Sequence, residues 1–270
     1  MNVAGRGGGW RDLRLRLISA AVLVPLALFC IWAGGVVYDA LIVLVMAGMA
    51  FEGAALLGLP WRSWRGILFV VWPAVAAVAA LRSEWRAAFS VVGAGLLFGG
   101  PLWIVQIVAG IGGLSLLWLR GLPHGALQVL FVIVVVMASD TCAYVAGRLF
   151  GGPKLAPSIS PGKTWSGSGG GFVGAVLLGA LVASAWADPV GGAVTGGLLG
   201  IFAQCGDLTE SAAKRRLGVK DSGALIPGHG GLLDRFDGLL AAAPLAALLS
   251  LAAGTRPFWS VPLRAVGIMP

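Results

Sequence analysis

Residues 126–149 read ALQVLFVIVVVMASDTCAYVAGRL, a run of 24 residues holding one acid, Asp140, and one base, Arg148. A helix that crosses the hydrocarbon core of a bilayer needs ~20 mostly apolar residues. This run reaches that length, and the pattern recurs along the chain. Apolar segments lie at 15–33, 37–58, 66–81, 86–98, 101–119, 126–149, 169–187, 190–207 and 237–254. They predict an all-α, polytopic integral membrane protein with about nine transmembrane helices and cytoplasmic polar loops. Residues 1–270 read as a single integral membrane domain with a polar site region at 140–237.

Composition excludes the soluble alternatives. Hydrophobic residues make up 58% of the chain and charged residues 11%, where a soluble domain carries about 25% charged residues. So few charges cannot cover a water-facing surface. The 43 glycines are roughly twice the usual ~7% share, and small residues let membrane helices approach closely. The glycine run 167–171 opens an apolar segment and reads as such a packing face. Net charge is +8. The positive-inside rule and anionic lipid headgroups account for that excess without nucleic acid. Cys30, Cys142 and Cys205 all fall in apolar stretches with no CxxC spacing, which argues against a zinc site or a disulfide framework. Trp61, Trp64 and Trp85 sit near segment ends, as an interfacial aromatic belt would.

Charge also sets the topology. With the N-terminus inside and nine spans, 14 of the 19 basic residues are cytoplasmic; merging the fourth and fifth segments across Gly99-Gly100-Pro101 leaves 9 inside and 10 outside. The positive-inside rule favours nine. It places the polar loops 150–168 and 208–236 on one cytoplasmic face and the C-terminus outside.

The polar chemistry gathers in the second half. Asp12, Asp39, Glu52, Glu84 and Asp188 fall near segment ends and read as solvated; Asp207, Glu210, Asp221, Asp234 and Asp237 crowd into 31 residues. If helix continues past the eighth segment, Asp207, Glu210, Ser211 and Lys214 stand at i, i+3, i+4 and i+7 and share one face. Asp234 and Asp237, three apart, share another. Two acidic helix ends meeting at the membrane surface suit a hard cation, and oxygen ligands favour Mg²⁺. Between them, Pro227-Gly228-His229-Gly230-Gly231 is a turn whose exposed amides can hold phosphate oxygens. Lys214, Arg215, Lys220 and Arg235 add cations. Acids for a metal and bases for anions are the parts of phosphoryl or nucleotidyl transfer. Asp140, deep in its segment, costs at least ~2.5 kcal/mol unless paired or wet. It reads as functional, with an ion pair to Arg148 or Lys163 as the alternative.

This stretch resembles the phosphatidate cytidylyltransferase (CDP-diacylglycerol synthase) family. The family pattern matches as Ser211, Lys214-Arg215, Lys220-Asp221, the turn at 227–231, then Asp234-Arg235-Phe236-Asp237. A second polar block matches at Asp140-Thr141-Cys142-Ala143-Tyr144, Gly147-Arg148, Lys154-Leu155-Ala156-Pro157 and Ser160-Pro161-Gly162-Lys163-Thr164-Trp165. Ala213 replaces a larger aliphatic residue, and Cys142 stands where many members have glycine. The resemblance implies CTP and phosphatidic acid as substrates, and CDP-diacylglycerol and pyrophosphate as products, in phospholipid biosynthesis. It implies Mg²⁺, with room for a second cation, on Asp207 and Asp234 as the leading ligands. Lys214 and Asp237 would join these two in catalysis. Substrates would fall to Lys163, Arg215, Lys220, Asp221, His229, Gly230, Gly231, Arg235, Asp140 and Ser211. The protein would sit multi-pass in the inner (cytoplasmic) membrane among its lipids, and a homodimer stays open.

Two other readings bear weighing. Gly162-Lys163-Thr164 ends like a P-loop, but Pro157 replaces the first glycine and no strand is expected before it. A transporter or channel with an acidic cation site would explain Asp140 and the paired acids. Against it, most charges lie in two loops on one face. The topology has a direct test. A single cysteine at Ser158, in a cysteine-free background, is expected to be shielded from an impermeant thiol reagent outside intact cells; labelling from outside would sink the orientation.

Overall fold

The computed structural model describes residues 8–226, 228 and 230–260. Among these, nine α-helices follow in order: α1 Gly8–Ala33, α2 Gly35–Leu56, α3 Trp64–Leu81, α4 Trp85–Ala94, α5 Leu102–Gly121, α6 Gly125–Phe150, α7 Trp165–Ser184, α8 Pro189–Arg216 and α9 Leu233–Ala253. Six of them, α2, α3, α5, α6, α7 and α9, are long and apolar enough to cross a membrane. Leu17–Ala33 and Trp85–Phe98 are shorter apolar helices. The helical, polytopic membrane architecture therefore stands, and among the described residues length and composition single out six of the nine expected crossings. The long α8 falls outside the six because glycine dilutes its first half and charge fills its last turns.

The fourth and fifth segments are separate helices. A short 3-10 turn, Gly95–Phe98, ends α4, and Gly99 and Gly100 then take φ of +69° and +51° ahead of Pro101. That backbone suits glycine and not a continuing helix.

The polar loop after α6 is not featureless. Strands β1 (Lys154–Ala156) and β2 (Ser160–Thr164) form an antiparallel hairpin, with Lys154 opposite Thr164 and Ala156 opposite Ser160. Pro153, Pro157 and Pro161 deny this stretch a helix. Gly162-Lys163-Thr164 lies within a strand, so the P-loop likeness has no structural counterpart. Thr164 ends the hairpin and caps α7, its hydroxyl accepting from Gly167 N at 3.1 Å.

Helix α7 packs most closely, against α6 on one side and α8 on the other. A Cβ at Gly170 would overlap the Ala146 methyl, and one at Gly171 would stand 2.8 Å from Ser139 O. On the α8 side, Gly179 faces the carbonyl of Gly192 and the Cα of Gly196. Backbone meets backbone there, the contact small residues permit. An aromatic cluster closes the far end. Phe131 stacks on Trp259 with ring centroids 4.5 Å apart, and Trp259, Phe258 and Phe131 are fully buried. The cysteines form no disulfide among the described residues; Cys30 is buried, but Cys205 is exposed rather than hidden in the core.

Gly179→Val tests this packing. Overfilling a tight contact costs about 1–3 kcal/mol, so the melting temperature of the detergent-solubilised protein is expected to fall by several degrees. A wild-type melting curve would show that α7 and α8 have room to spare.

Candidate active site

The last turns of α8, beyond its apolar part, carry the predicted polar stripe. Ser211 Oγ donates to Asp207 Oδ1 at 3.4 Å, and Lys214 Nζ pairs with Glu210 Oε2 at 2.5 Å. Lys214 also reaches across to α9, where Nζ lies 2.6 Å from Asp234 Oδ1. The Lys214 and Asp234 side chains are only 14% and 9% exposed, so removing one partner would leave the other charge largely enclosed and uncompensated. Burial pushes the Glu210 carboxyl up to about 7, against the pull of its bond to Lys214. Loss of hydration alone would lower Lys214, but bonds from Asp234 and Glu210 outweigh it and hold the ammonium above the ordinary lysine value. Two carboxyl groups thus share one ammonium.

Asp234 is filled on both oxygens. Besides Lys214, it accepts from Ser222 N at 2.9 Å and from Gly231 N at 3.1 Å. The turn between α8 and α9 is therefore organised around this carboxylate. Gly230 takes φ +85° and Gly228 φ +76°, as expected for glycines in such a turn. Ile226 N donates to Gly230 O at 3.0 Å and closes it. The Gly231 amide points at Asp234 and not outward. The predicted contribution of His229, like that of Pro227, lies outside the described residues.

The hairpin brings the other half. Lys163 on β2 pairs with Asp207 at 2.6 Å, which joins the two polar blocks of the sequence. Asp140, Arg148, Lys163, Gln204 and Asp207 line a cavity of about 470 Å³ between α6, the hairpin, α7 and α8. Asp140 makes no ion pair with Arg148 or Lys163 among the described residues, so the structural alternative for it is not found. The charges of Asp140, Asp207 and Asp237 act on one another. Asp237 also accepts from Gly238 N at 2.6 Å.

A second cavity, of about 480 Å³, lies against the opposite face of α8. Val105, Val108, Phe202 and Leu240 contribute to its apolar wall, and Thr209, Glu210, Lys214, Ser222 and Asp237 are its polar groups. Ser222 is 6% exposed, and its Oγ has no hydrogen-bond partner among the described residues.

Other predicted residues stand apart. Arg215 braces the hairpin and its own helix end, donating to Ile159 O at 3.3 Å and Val219 O at 3.2 Å. Lys220, Asp221 and Arg235 are exposed. Glu52, read as solvated, is instead 2% exposed and accepts from three backbone amides of the 225–233 stretch. Its only signal was an acid inside an apolar run. Gln204 was also missed; it accepts from Ser168 Oγ at 2.5 Å and donates to Ser139 Oγ at 3.2 Å in the wall of the first cavity.

Residues 14–252 match the profile of the cytidylyltransferase family. The chain belongs to that family. Its relatives include proteins named phosphatidate cytidylyltransferase. The one from Brucella suis biovar 1 is 39% identical, over 87% of this chain and 92% of the relative. That from Pseudomonas aeruginosa is 34% identical over 93% of this chain and 100% of the relative. That from Haemophilus influenzae is 44% identical over 52% of each.

In this cytidylyltransferase-family chain, Gly231 is the least replaceable point of the turn. A Cβ there would overlap Ser222 Oγ and stand 2.8 Å from Gly223 N and 2.9 Å from Asp234 Oδ2. Gly231→Ala is expected to lower turnover about tenfold or more, with a smaller effect on melting temperature. A wild-type rate would mean that the Asp234 seat tolerates displacement.

Proposed function

We propose that this chain is a phosphatidate cytidylyltransferase, which joins CTP and phosphatidic acid to give CDP-diacylglycerol and pyrophosphate. The observation that carries the reading is the pair of unlike cavities on opposite faces of α8. One is lined by Asp140, Arg148, Lys163 and Asp207 and suits a nucleotide triphosphate. The other is walled by aliphatic side chains and suits acyl chains, with Ser222, whose Oγ has no hydrogen-bond partner among the described residues, and Lys214, held by Glu210 and Asp234, at its polar edge. A soluble and a membrane-held substrate would thus meet across one helix. The lipid would enter sideways, keeping its tails in the bilayer. The family resemblance and the charge balance support an inner-membrane protein whose site opens to the cytoplasm, where CTP is found.

The phosphate of phosphatidate carries ~1.5–2 negative charges at neutral pH. Its oxygen can attack the α-phosphorus of CTP without a general base, as the bond to the β-phosphate breaks and pyrophosphate leaves. The difficulty is repulsion between anions. Mg²⁺ is held by one or two carboxylates together with substrate phosphates, so a preformed cage is not required. Among the described residues no group of three or more His, Cys, Asp or Glu is placed to hold a metal. The donor set nevertheless has the chemistry of a hard-cation site, because Asp140, Asp207, Asp234 and Asp237 offer only carboxylate oxygens. Asp207 and Asp234 would hold the ion, with Asp237 beside a second. When bound, it would offset the repulsion between the two phosphates and stabilise the leaving pyrophosphate. Lys163 and Lys214 now neutralise these same aspartates. Their flexible stems would let each ammonium pass to a phosphate oxygen when substrate arrives.

Purified protein given CTP, phosphatidic acid and Mg²⁺ is expected to release pyrophosphate and form a liponucleotide. Asp207→Asn and Asp234→Asn keep size and remove charge; each should retain less than about a tenth of the wild-type rate, a barrier change above ~1.4 kcal/mol. Val108→Trp, which narrows the apolar cavity, should raise KM for phosphatidate and leave KM for CTP unchanged. Equal effects on both substrates would remove the assignment of the second cavity to the lipid.

A further inference from the structure

Glu52 lies in apolar α2 between Phe51 and Gly53, and its side chain is almost wholly enclosed. Such a group persists only when something satisfies it. Its partners lie more than 170 residues away in the chain: Oε2 accepts from Leu232 N at 2.6 Å and Leu233 N at 3.0 Å, and Oε1 accepts from Leu225 N at 3.3 Å.

These amides need an acceptor for a local reason. Leu232 occupies the cap position of α9, and its side chain makes no capping bond. The first amides of a helix have no intrahelical acceptor, and a carboxyl group at that end also meets the favourable pole of the helix dipole. Glu52 supplies from another helix the cap that the sequence of α9 lacks. The fit is close, since a Cβ at Gly223 would stand 2.7 Å from Glu52 Oε1.

The bonded amides bracket the site. Leu225 lies at one end of the turn, Leu232 and Leu233 at the other, and Asp234 follows directly. Ser222 and Gly231, which donate to Asp234, lie just outside and just inside those anchor points. We infer that Glu52 is a positioning residue for cytidylyl transfer. By capping α9 and tying down Leu225, it fixes the turn in which Asp234 keeps its place opposite Lys214. The inference rests on the proposed function for its catalytic meaning, but its geometric content stands apart from turnover.

The test uses the full chain with Glu52→Gln, which keeps size but replaces one acceptor by a donor facing the same amides. Hydrogen exchange is followed across residues 221–236, with kcat and KM measured alongside. The expected result is faster exchange at Ser222 and Gly231, which bond to Asp234 and not to Glu52, together with a fall in kcat of about tenfold or more and little change in KM for CTP. A merely structural cap would deprotect only Leu225, Leu232 and Leu233 and leave kcat intact; that result overturns the inference. If Glu52→Gln does not fold, Gly223→Ala presses the same contact from the turn, with the same expected and overturning results. Phe131→Leu, a substitution in the distant aromatic cluster with Trp259, should lower melting temperature and change neither readout. If the wild-type protein forms no liponucleotide, the reaction assignment fails, and exchange at Ser222 and Gly231 still decides the role of Glu52.

Discussion

The contact between Lys214 and Asp234 joins the end of α8 to the start of α9, and the rest of the site is arranged around it. Without it, Lys214 would keep only Glu210 as a partner and Asp234 only its two amides. Breaking a buried pair by removing one partner is costly because the remaining charge is left uncompensated. The amides of Ser222 and Gly231 add to the same carboxylate, so the polar turn is fastened at Asp234 as well as at Glu52. That attachment lets α8 carry Asp207 towards one cavity while its opposite face walls the other.

Local pattern explains what could be read from the sequence. The stripe Asp207, Glu210, Ser211, Lys214 follows from helical spacing, and the structure gives it two internal contacts. The positive φ of Gly230 follows from turn chemistry. The apolar segments each coincide with a helix, although helix length and composition support six of them as crossings. The separation of Lys163 from Asp207 in sequence hid their pairing, because an unanticipated hairpin makes it. Glu52 was misread for a related reason. Position near a segment end suggests solvent, whereas the side chain turns inward to amides that only the tertiary fold brings near.

The two cavities divide the labour of the fold. In the first, acids and bases lie on α6, α8 and the hairpin while α7 completes the wall, so its geometry depends on the packing of α6, α7 and α8. In the second, the wall is mostly aliphatic; its ionisable groups come from α8 and α9, and Ser222 comes from the turn that anchors Asp234. A change in the turn reaches the second cavity through Ser222, although the two cavities share no lining residue.

The glycine contacts of α7 carry a consequence for how such a protein can diversify. Where Gly179 meets Gly192 and Gly196, and Gly171 meets Ser139, no side chain larger than hydrogen fits without moving backbone. Substitution along that seam would force α7 away from α6 or α8. The aliphatic wall on the other face of α8, built from α5 and α9 side chains such as Val105, Val108 and Leu240, can exchange one bulky residue for another at modest cost. Adaptation to membranes of different fatty-acid length would therefore be written on α5 and α9, while the glycine seam holds the chemistry constant.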